Sequence, residues 1–240
     1  MTAGVALVTG GARRIGRAIA MQLAGAGYAV AVHYGQSRDE AEEVVAAITA
    51  AGVRAHAVTG DLMRLDAAAL VGEAAQALGP VTLLVNNASQ FARDDIATLD
   101  AAGFERNLQV NLKAPVLLAQ AFAAALPALE QGAIVNLIDQ RVLHPGADFL
   151  SYTIAKSALW TATQMLAQAL APRIRVNAIG PGPVLPNSHE GAAGFAGEVA
   201  GVPLKRPVEP AEIAEAVLYL ARARSVTGQM LTVDAGQHLV

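Results

Sequence analysis

The chain contains no cysteine, a single tryptophan, only 4% aromatic residues and only 15% charged ones. Without thiols it forms neither a disulfide framework nor a thiolate zinc site, and nothing ties it to an oxidising compartment. Of its five histidines, His144, His189 and His238 show no metal-ligand spacing and read as surface or loop residues, so no metal is expected. The formal net charge is −3 at pH 7, which lacks the basic excess that a phosphate backbone attracts and argues against a nucleic-acid partner. Scarce charge with a mean hydropathy of +0.40 excludes an intrinsically disordered chain, which needs the opposite balance. Long apolar runs are missing too. The longest, 114–129, is interrupted by Gln120 and Pro127 and is too short to span a bilayer. The start of the chain passes straight into Val5-Ala6-Leu7-Val8 without a basic region, so no secretory signal is read there and a cytoplasmic location is the expectation.

What is present is aliphatic. Hydrophobic residues make up 54% of 240, enough for one large core. Short aliphatic runs at 5–8, 28–33, 53–58, 83–86, 133–138, 174–179 and 230–233 read as buried strands. Between them, Ala-rich amphipathic stretches at 15–25, 39–51, 67–78, 104–126, 152–170 and 212–221 are long enough to be helical crossovers. Strands buried on both faces with helices between them imply a doubly wound parallel α/β sheet of about seven strands, helices on both faces. No linker or composition break divides residues 1–240, which are read as one domain. The stretch 180–207 departs from this rhythm, being rich in Gly, Pro and Ala. Room remains in it for only a short helix, and it reads as a lid over the site.

The first strand runs into Thr9-Gly10-Gly11-Ala12-Arg13-Arg14-Ile15-Gly16. Glycines here let the chain turn tightly and let backbone N–H groups approach a pyrophosphate, while a following helix N-terminus favours its charge. A Gly-rich βα turn without a ligand is the competing reading of this loop alone. The second strand ends His33-Tyr34-Gly35-Gln36-Ser37-Arg38, with no acid placed to bind a ribose 2′-hydroxyl. Arg13 or Arg14, with Ser37 and Arg38, could instead neutralise a 2′-phosphate, so NADP(H) is expected over NAD(H). Ser37 also heads a capping box with Glu40, a role compatible with phosphate contact. Asp39 and Glu40 would then lie in the first turn of the next helix, away from the ribose.

The loop spacing, T-G-x-x-x-x-x-G, resembles that of the short-chain dehydrogenases/reductases. Asp61-Leu62, Asn86-Asn87-Ala88-Ser89, Asn111, Tyr152-x-x-x-Lys156, Arg175-Val176-Asn177-Ala178 before Pro181-Gly182, and Thr227-Gly228 follow in that family's order over nearly the whole chain. The resemblance implies that Gly10, Arg13, Arg14, Ile15 and Gly16 meet the cofactor, with His33, Tyr34 and Ser37. It places Asp61 and Leu62 near the adenine, and Asn87, Ala88 and Ser89 along the nicotinamide ribose, together with Pro181 and Gly182. It makes Tyr152 the proton donor and Lys156 the residue that binds the ribose hydroxyls and lowers the phenol's pKa. Asn111 would help hold a water relay to the lysine. It also implies a homotetramer, and the Ala-rich helices around Trp160 suit close contact with another helix or subunit.

The departure from the family lies at Asp139. Most members place there a serine that holds a substrate carbonyl. An ionised carboxylate only accepts hydrogen bonds, a poor match for a ketone. A carboxyl whose pKa is raised by burial becomes a donor, which suits an imine or pterin ring whose nitrogen needs a proton. With Arg14, Asn87-Ala88-Ser89-Gln90-Phe91 and the His33-Tyr34 strand end, the chain resembles the pteridine and dihydromonapterin reductases within the family. That resemblance implies a pterin pocket formed by Arg14, Ser89, Phe91, Asp139 and Tyr152. Phe91 could equally be a packing aromatic. The competing functions are a reductase of a ketone or 3-oxoacyl thioester, in which Asp139 merely orients the substrate, and a non-catalytic dinucleotide-binding regulator, which intact Tyr152 and Lys156 speak against.

Overall fold

The computed structural model describes residues 3–186 and 191–240. Its strands are β1 (Val5–Val8), β2 (Ala29–Tyr34), β3 (Ala55–Thr59), β4 (Val81–Asn86), β5 (Gly132–Leu137), β6 (Ile174–Pro181) and β7 (Met230–Val233). They form one sheet in the order β3-β2-β1-β4-β5-β6-β7, every pairing parallel. Residues of β1, β2 and β5 are buried along their whole length, the reason these strands are unbroken aliphatic runs and not alternating ones.

The connecting helices are α1 (Arg14–Gly25), α2 (Arg38–Ala50), α3 (Ala67–Leu78), α4 (Ala101–Leu108), α5 (Ala114–Ala125), α6 (Leu150–Leu170), α7 (Gly191–Gly201) and α8 (Pro210–Arg222). Successive strand side chains point to opposite faces, so the sheet is covered twice. On one face Ile19, Leu23, Val44, Ile48, Ile213 and Val217 of α1, α2 and α8 pack on Ala6, Val8, Val30 and Val135. On the other, Leu70, Leu118, Phe122 and Ala167 of α3, α5 and α6 pack on Leu7, Ala31, Leu84 and Ile134. Each such fully buried aliphatic side chain stabilises the fold by about 1.5–3 kcal/mol. The strand order reverses between β1 and β4, which opens a crevice at the carboxyl ends of the strands where ligands of such sheets bind.

The expected single helix over 104–126 is three pieces. Between α4 and α5 lies a π-helical turn, Gln109–Lys113, which turns Asn111 fully inward. Pro115, at the start of α5, lacks the N–H that would meet the carbonyl of residue 111 in an α-helical ladder, and a wider turn accommodates the mismatch. Trp160, expected against another helix or subunit, is partly buried on a small cluster of Ile138, Leu159 and Ala178 within its own chain. The stretch 180–207 holds the short helix α7. Val184, Val202 and Val208 around it are buried in the main core, whereas α7 buries no residue of its own. His144 is exposed, His189 lies outside the described residues, and His238 is not a free loop residue: its Nδ1 lies 2.7 Å from buried Asp234. Among the described residues no helix is long and apolar enough to cross a membrane.

Candidate functional site

The loop from β1 into α1 is laced to the turn after β4. Thr9 Oγ1 accepts the backbone N–H groups of Asn87 and Ala88 at 2.9 and 3.0 Å. Asn87 Nδ2 donates back to the carbonyls of Thr9 and Gly10 at 2.9 and 3.1 Å. Gly10 sits at φ +61°, and a Cβ on Gly16 would lie 2.0 Å from the Gly10 carbonyl oxygen. The first turn of α1 therefore rests directly on the loop, a close approach only glycine permits.

His33 lines the cleft with its ring already engaged. The Gly10 N–H donates to its Nδ1 at 3.1 Å and its Nε2 lies 3.0 Å from the Gly60 carbonyl, so Nε2 carries the proton. Burial lowers its pKa, keeping the imidazole neutral. The residue expected to touch cofactor is thus a brace tying the glycine loop to the end of β3. Ser37 precedes α2 without forming the expected side-chain cap, while Asp39 and Glu40 do stand in that helix's first turn. Glu40 lies 3.6 Å from the exposed Arg13 guanidinium. Asp61 Oδ1 accepts the Met63 N–H at 2.9 Å. Arg14, at φ +52°, reaches across the cleft to the carbonyls of Pro186 and Leu185 at 3.1 and 3.4 Å.

At the other end of the cleft, β5 delivers Asp139 and α6 delivers Tyr152 and Lys156 one turn apart on one face. The Tyr152 hydroxyl donates to Asp139 Oδ2 at 2.9 Å, and Asp139 Oδ1 accepts the Arg141 N–H at 2.9 Å. Lys156 Nζ donates to the Leu137 carbonyl at 2.8 Å and stands 5.7 Å from the centre of the Tyr152 ring. Burial raises the Asp139 pKa. Burial, then the neighbouring Asp139 charge, pushes the Tyr152 phenol well above its ordinary value. Burial lowers Lys156 to about 8. The phenol is therefore not lowered as expected, because the carboxyl is bonded to its oxygen while the ammonium is directed at a backbone carbonyl. Asp139 and Tyr152 are thus two titratable groups sharing one hydrogen bond at the end of the cleft, the arrangement that general acid–base chemistry uses.

Every expected site residue except Asn111 and Arg38 lines this single cleft of about 960 Å³; Arg38 pairs with Glu42 and lies over the Tyr34 ring. Asn111 is buried behind the cleft. Its Oδ1 accepts the Ser89 hydroxyl and the Gln90 N–H, and its Nδ2 donates to the Gln90 carbonyl and Asn107 Oδ1. Three of those bonds hold the turn carrying Ser89 and Phe91, and the fourth ties Asn111 to Asn107. A second cavity of about 690 Å³ lies at the opposite end of the sheet. Its Arg175 is occupied by the carbonyls of Leu220 and Ala221, both at 2.7 Å, closing the last turn of α8.

Sequence reasoning missed Phe149. Fully buried and at φ +52°, it stacks on Phe91 at 4.4 Å and 13°, and Phe91 meets Tyr152 edge-on at 4.8 Å and 85°. Phe91 is accordingly both packed and at the cleft wall. No sequence pattern marks a non-glycine residue for a left-handed conformation. Arg141, also missed, stands over the Phe149 ring at 4.8 Å and pairs with Asp148 at 3.0 Å.

Residues 4–193 match the short chain dehydrogenase family. The chain belongs to that family. This short-chain dehydrogenase is 48% identical to FolM alternative dihydrofolate reductase 1 from Brucella canis, whose crystal structure was solved in complex with NADP. The match covers 100% of this chain and 95% of that one with a TM-score of 0.97. A blue fluorescent protein from a metagenomic library, in complex with NADPH, matches at 34% identity and a TM-score of 0.92 over 98% of both chains. Among curated relatives, the 3-oxoacyl-[acyl-carrier-protein] reductase FabG of Staphylococcus epidermidis is 34% identical over 242 residues, 98% of each chain.

Proposed function

We propose that this chain is an NADPH-dependent reductase that adds hydride to the C=N bond of a pterin-type ring. The observation that carries the reading is the half-buried Asp139 carboxyl hydrogen-bonded to the Tyr152 phenol, a proton source suited to a ring nitrogen and poorly matched to a ketone. The 48% identity to a FolM dihydrofolate reductase supports it. The 34% identity to a 3-oxoacyl reductase supports the second reading, reduction of a ketone or thioester-linked keto group.

The residues present fit a dinucleotide. Gly16 packs its backbone so closely on Gly10 that a Cβ would lie 2.0 Å from the Gly10 carbonyl oxygen, which sets the N-terminus of α1 at the cleft wall beside Arg13, Arg14 and Gly182, where a pyrophosphate would meet it. Arg13, Arg14 and Ser37 would hold a 2′-phosphate, Asp61 and Leu62 the adenine side, and Asn87, Ala88, Ser89 and Lys156 the nicotinamide ribose. A reduced nicotinamide supplies two electrons as hydride.

The chain's own residues then handle the proton. Tyr152 gives its phenolic proton to the imine nitrogen as the adjacent carbon is reduced, Asp139 in its protonated form returns a proton to Tyr152, and solvent recharges the carboxyl. The ring slots beside Phe91, with Arg14 and Ser89 at its edge. Arg14, bonded to the carbonyls of Leu185 and Pro186, links the cleft to the 180–207 segment. That no residue of α7 is buried supports the reading of that segment as a lid, since an element with little buried surface opens at low cost. Exposed Ile154 and Met165 on α6 support packing of that helix against further copies in a homotetramer.

Incubating the protein with 4-deuterated NADPH and a 7,8-dihydropterin tests the reading. It predicts tetrahydropterin carrying one deuterium on the ring carbon beside the protonated nitrogen, read by mass spectrometry. NADPH should bind about ten-fold or more tightly than NADH at moderate salt, the effect of one charge-assisted contact. No deuterium in the product, or equal affinity for both cofactors, contradicts it.

A further inference from the structure

Behind Phe91 runs a chain of hydrogen-bonded polar groups, buried along its middle, whose members beyond Ser89 the proposed chemistry does not use. The Ser89 hydroxyl donates to Asn111 Oδ1 at 2.8 Å, Asn111 Nδ2 to Asn107 Oδ1 at 3.1 Å, and Asn107 Nδ2 to Ser151 Oγ at 2.7 Å. Ser151 in turn donates its hydroxyl to Asp94 Oδ2, and its backbone N–H to Asp94 Oδ1 at 3.1 Å. Asn111, Asn107 and Ser151 are at most 1% exposed.

The direction of every bond is forced. The Gln90 N–H and carbonyl fix which end of the Asn111 amide faces which way, that fixes Asn107, and the acceptor-only carboxylate of Asp94 closes the chain. Donors aligned in one direction polarise and strengthen one another. The far end of the chain has a second consequence. α6 begins after Phe149 with no side-chain cap of its own, and Ser151 is in its first turn, one residue before Tyr152. Asp94 therefore does from a remote loop what an N-cap residue does locally, accepting an otherwise unpaired N–H and placing negative charge at the helix start.

Residues 89–94 are thus clamped twice, at Ser89–Gln90 by Asn111 and at Asp94 by Ser151, and Phe91 lies between the clamps. We propose that Asp94 is a positioning residue for the ring substrate: by docking this turn on the first turn of α6 it fixes Phe91 between Phe149 and Tyr152. It touches neither substrate nor cofactor, and acts through Phe91. The inference rests on the pterin reading, since only a flat ring uses the Phe91 face.

Asp94→Ala and Ser151→Ala are to be compared with wild type for KM and kcat with a 7,8-dihydropterin and for the NADPH Kd. Removing a cap of this kind should raise the dihydropterin KM roughly five-fold, leave the NADPH Kd unchanged, and be milder in Asp94→Asn, which keeps an acceptor for the Ser151 N–H. In a Phe91→Ala background, where KM is already raised, Asp94→Ala should add nothing, because residues acting through one another are not additive. A merely structural role would lower kcat through lost active protein with KM unchanged, or give additive effects in the double variant, and either result overturns the proposal. A wild type that reduces no dihydropterin overturns the pterin reading and this proposal together. A wild type that does, with variants unaltered in KM, overturns this proposal alone.

Discussion

Asp139→Ser should remove most dihydropterin reduction, lowering kcat by about 10²-fold or more, the usual contribution of a positioned acid. A serine hydroxyl can still bond the Tyr152 oxygen, so the phenol stays in place, but it has no dissociable proton to return. The pH dependence separates this role from mere orientation. Burial raises the Asp139 pKa, and the protonated form is the competent one, so its population falls as pH rises through that raised value. The wild-type rate should therefore decline with increasing pH across a step that the serine variant lacks. If serine merely substitutes for an orienting group, activity and profile survive. A serine variant with full dihydropterin activity would remove Asp139 from the chemistry.

Tyr152→Phe should lower kcat by about 10²–10⁴-fold while leaving the NADPH Kd nearly unchanged. The ring keeps its edge contact with Phe91 at 4.8 Å and Lys156 keeps its bond to the Leu137 carbonyl at 2.8 Å, so cofactor-facing geometry is retained. What is lost is the hydroxyl between Asp139 and the substrate. Burial and the Asp139 charge keep that hydroxyl in its protonated form at neutral pH, so it carries the proton to be given and does not act as a base. Unchanged turnover in the phenylalanine variant would displace Tyr152 from the mechanism and reopen the non-catalytic reading.

The sheet was legible because its strands are buried on both faces. Such runs stand out as continuous aliphatic segments, and β1 falls at the expected residues. β3 is shifted to Ala55–Thr59; it is an edge strand whose half-exposed residues give no sharp apolar boundary. The glycine loop was legible because Gly10 and Gly16 answer to backbone sterics, which are local. What depends on contacts between distant segments was not. Nothing near His33 announces that Gly10 and Gly60 will occupy both its nitrogens. Ser37 has the composition of a cap but does not form one, a local preference overridden by its surroundings. Asn111 stood out in the sequence, but its hydrogen-bond partners are decided by the π-helical turn. Pro115 was the available signal for that turn. The Asp139–Tyr152 bond joins residues 13 apart through a strand end and a helix start, and only the fold brings them together.

The proposed chemistry of this cleft is reduction of a nitrogen-bearing ring and not of a ketone. The direct measurement is the ratio of kcat/KM for a 7,8-dihydropterin to that for an acetoacetyl thioester, with wild-type protein and saturating NADPH. The half-buried carboxyl on the proton donor predicts a ratio far above one; a ratio below one would contradict the claim and make the chain a keto-group reductase.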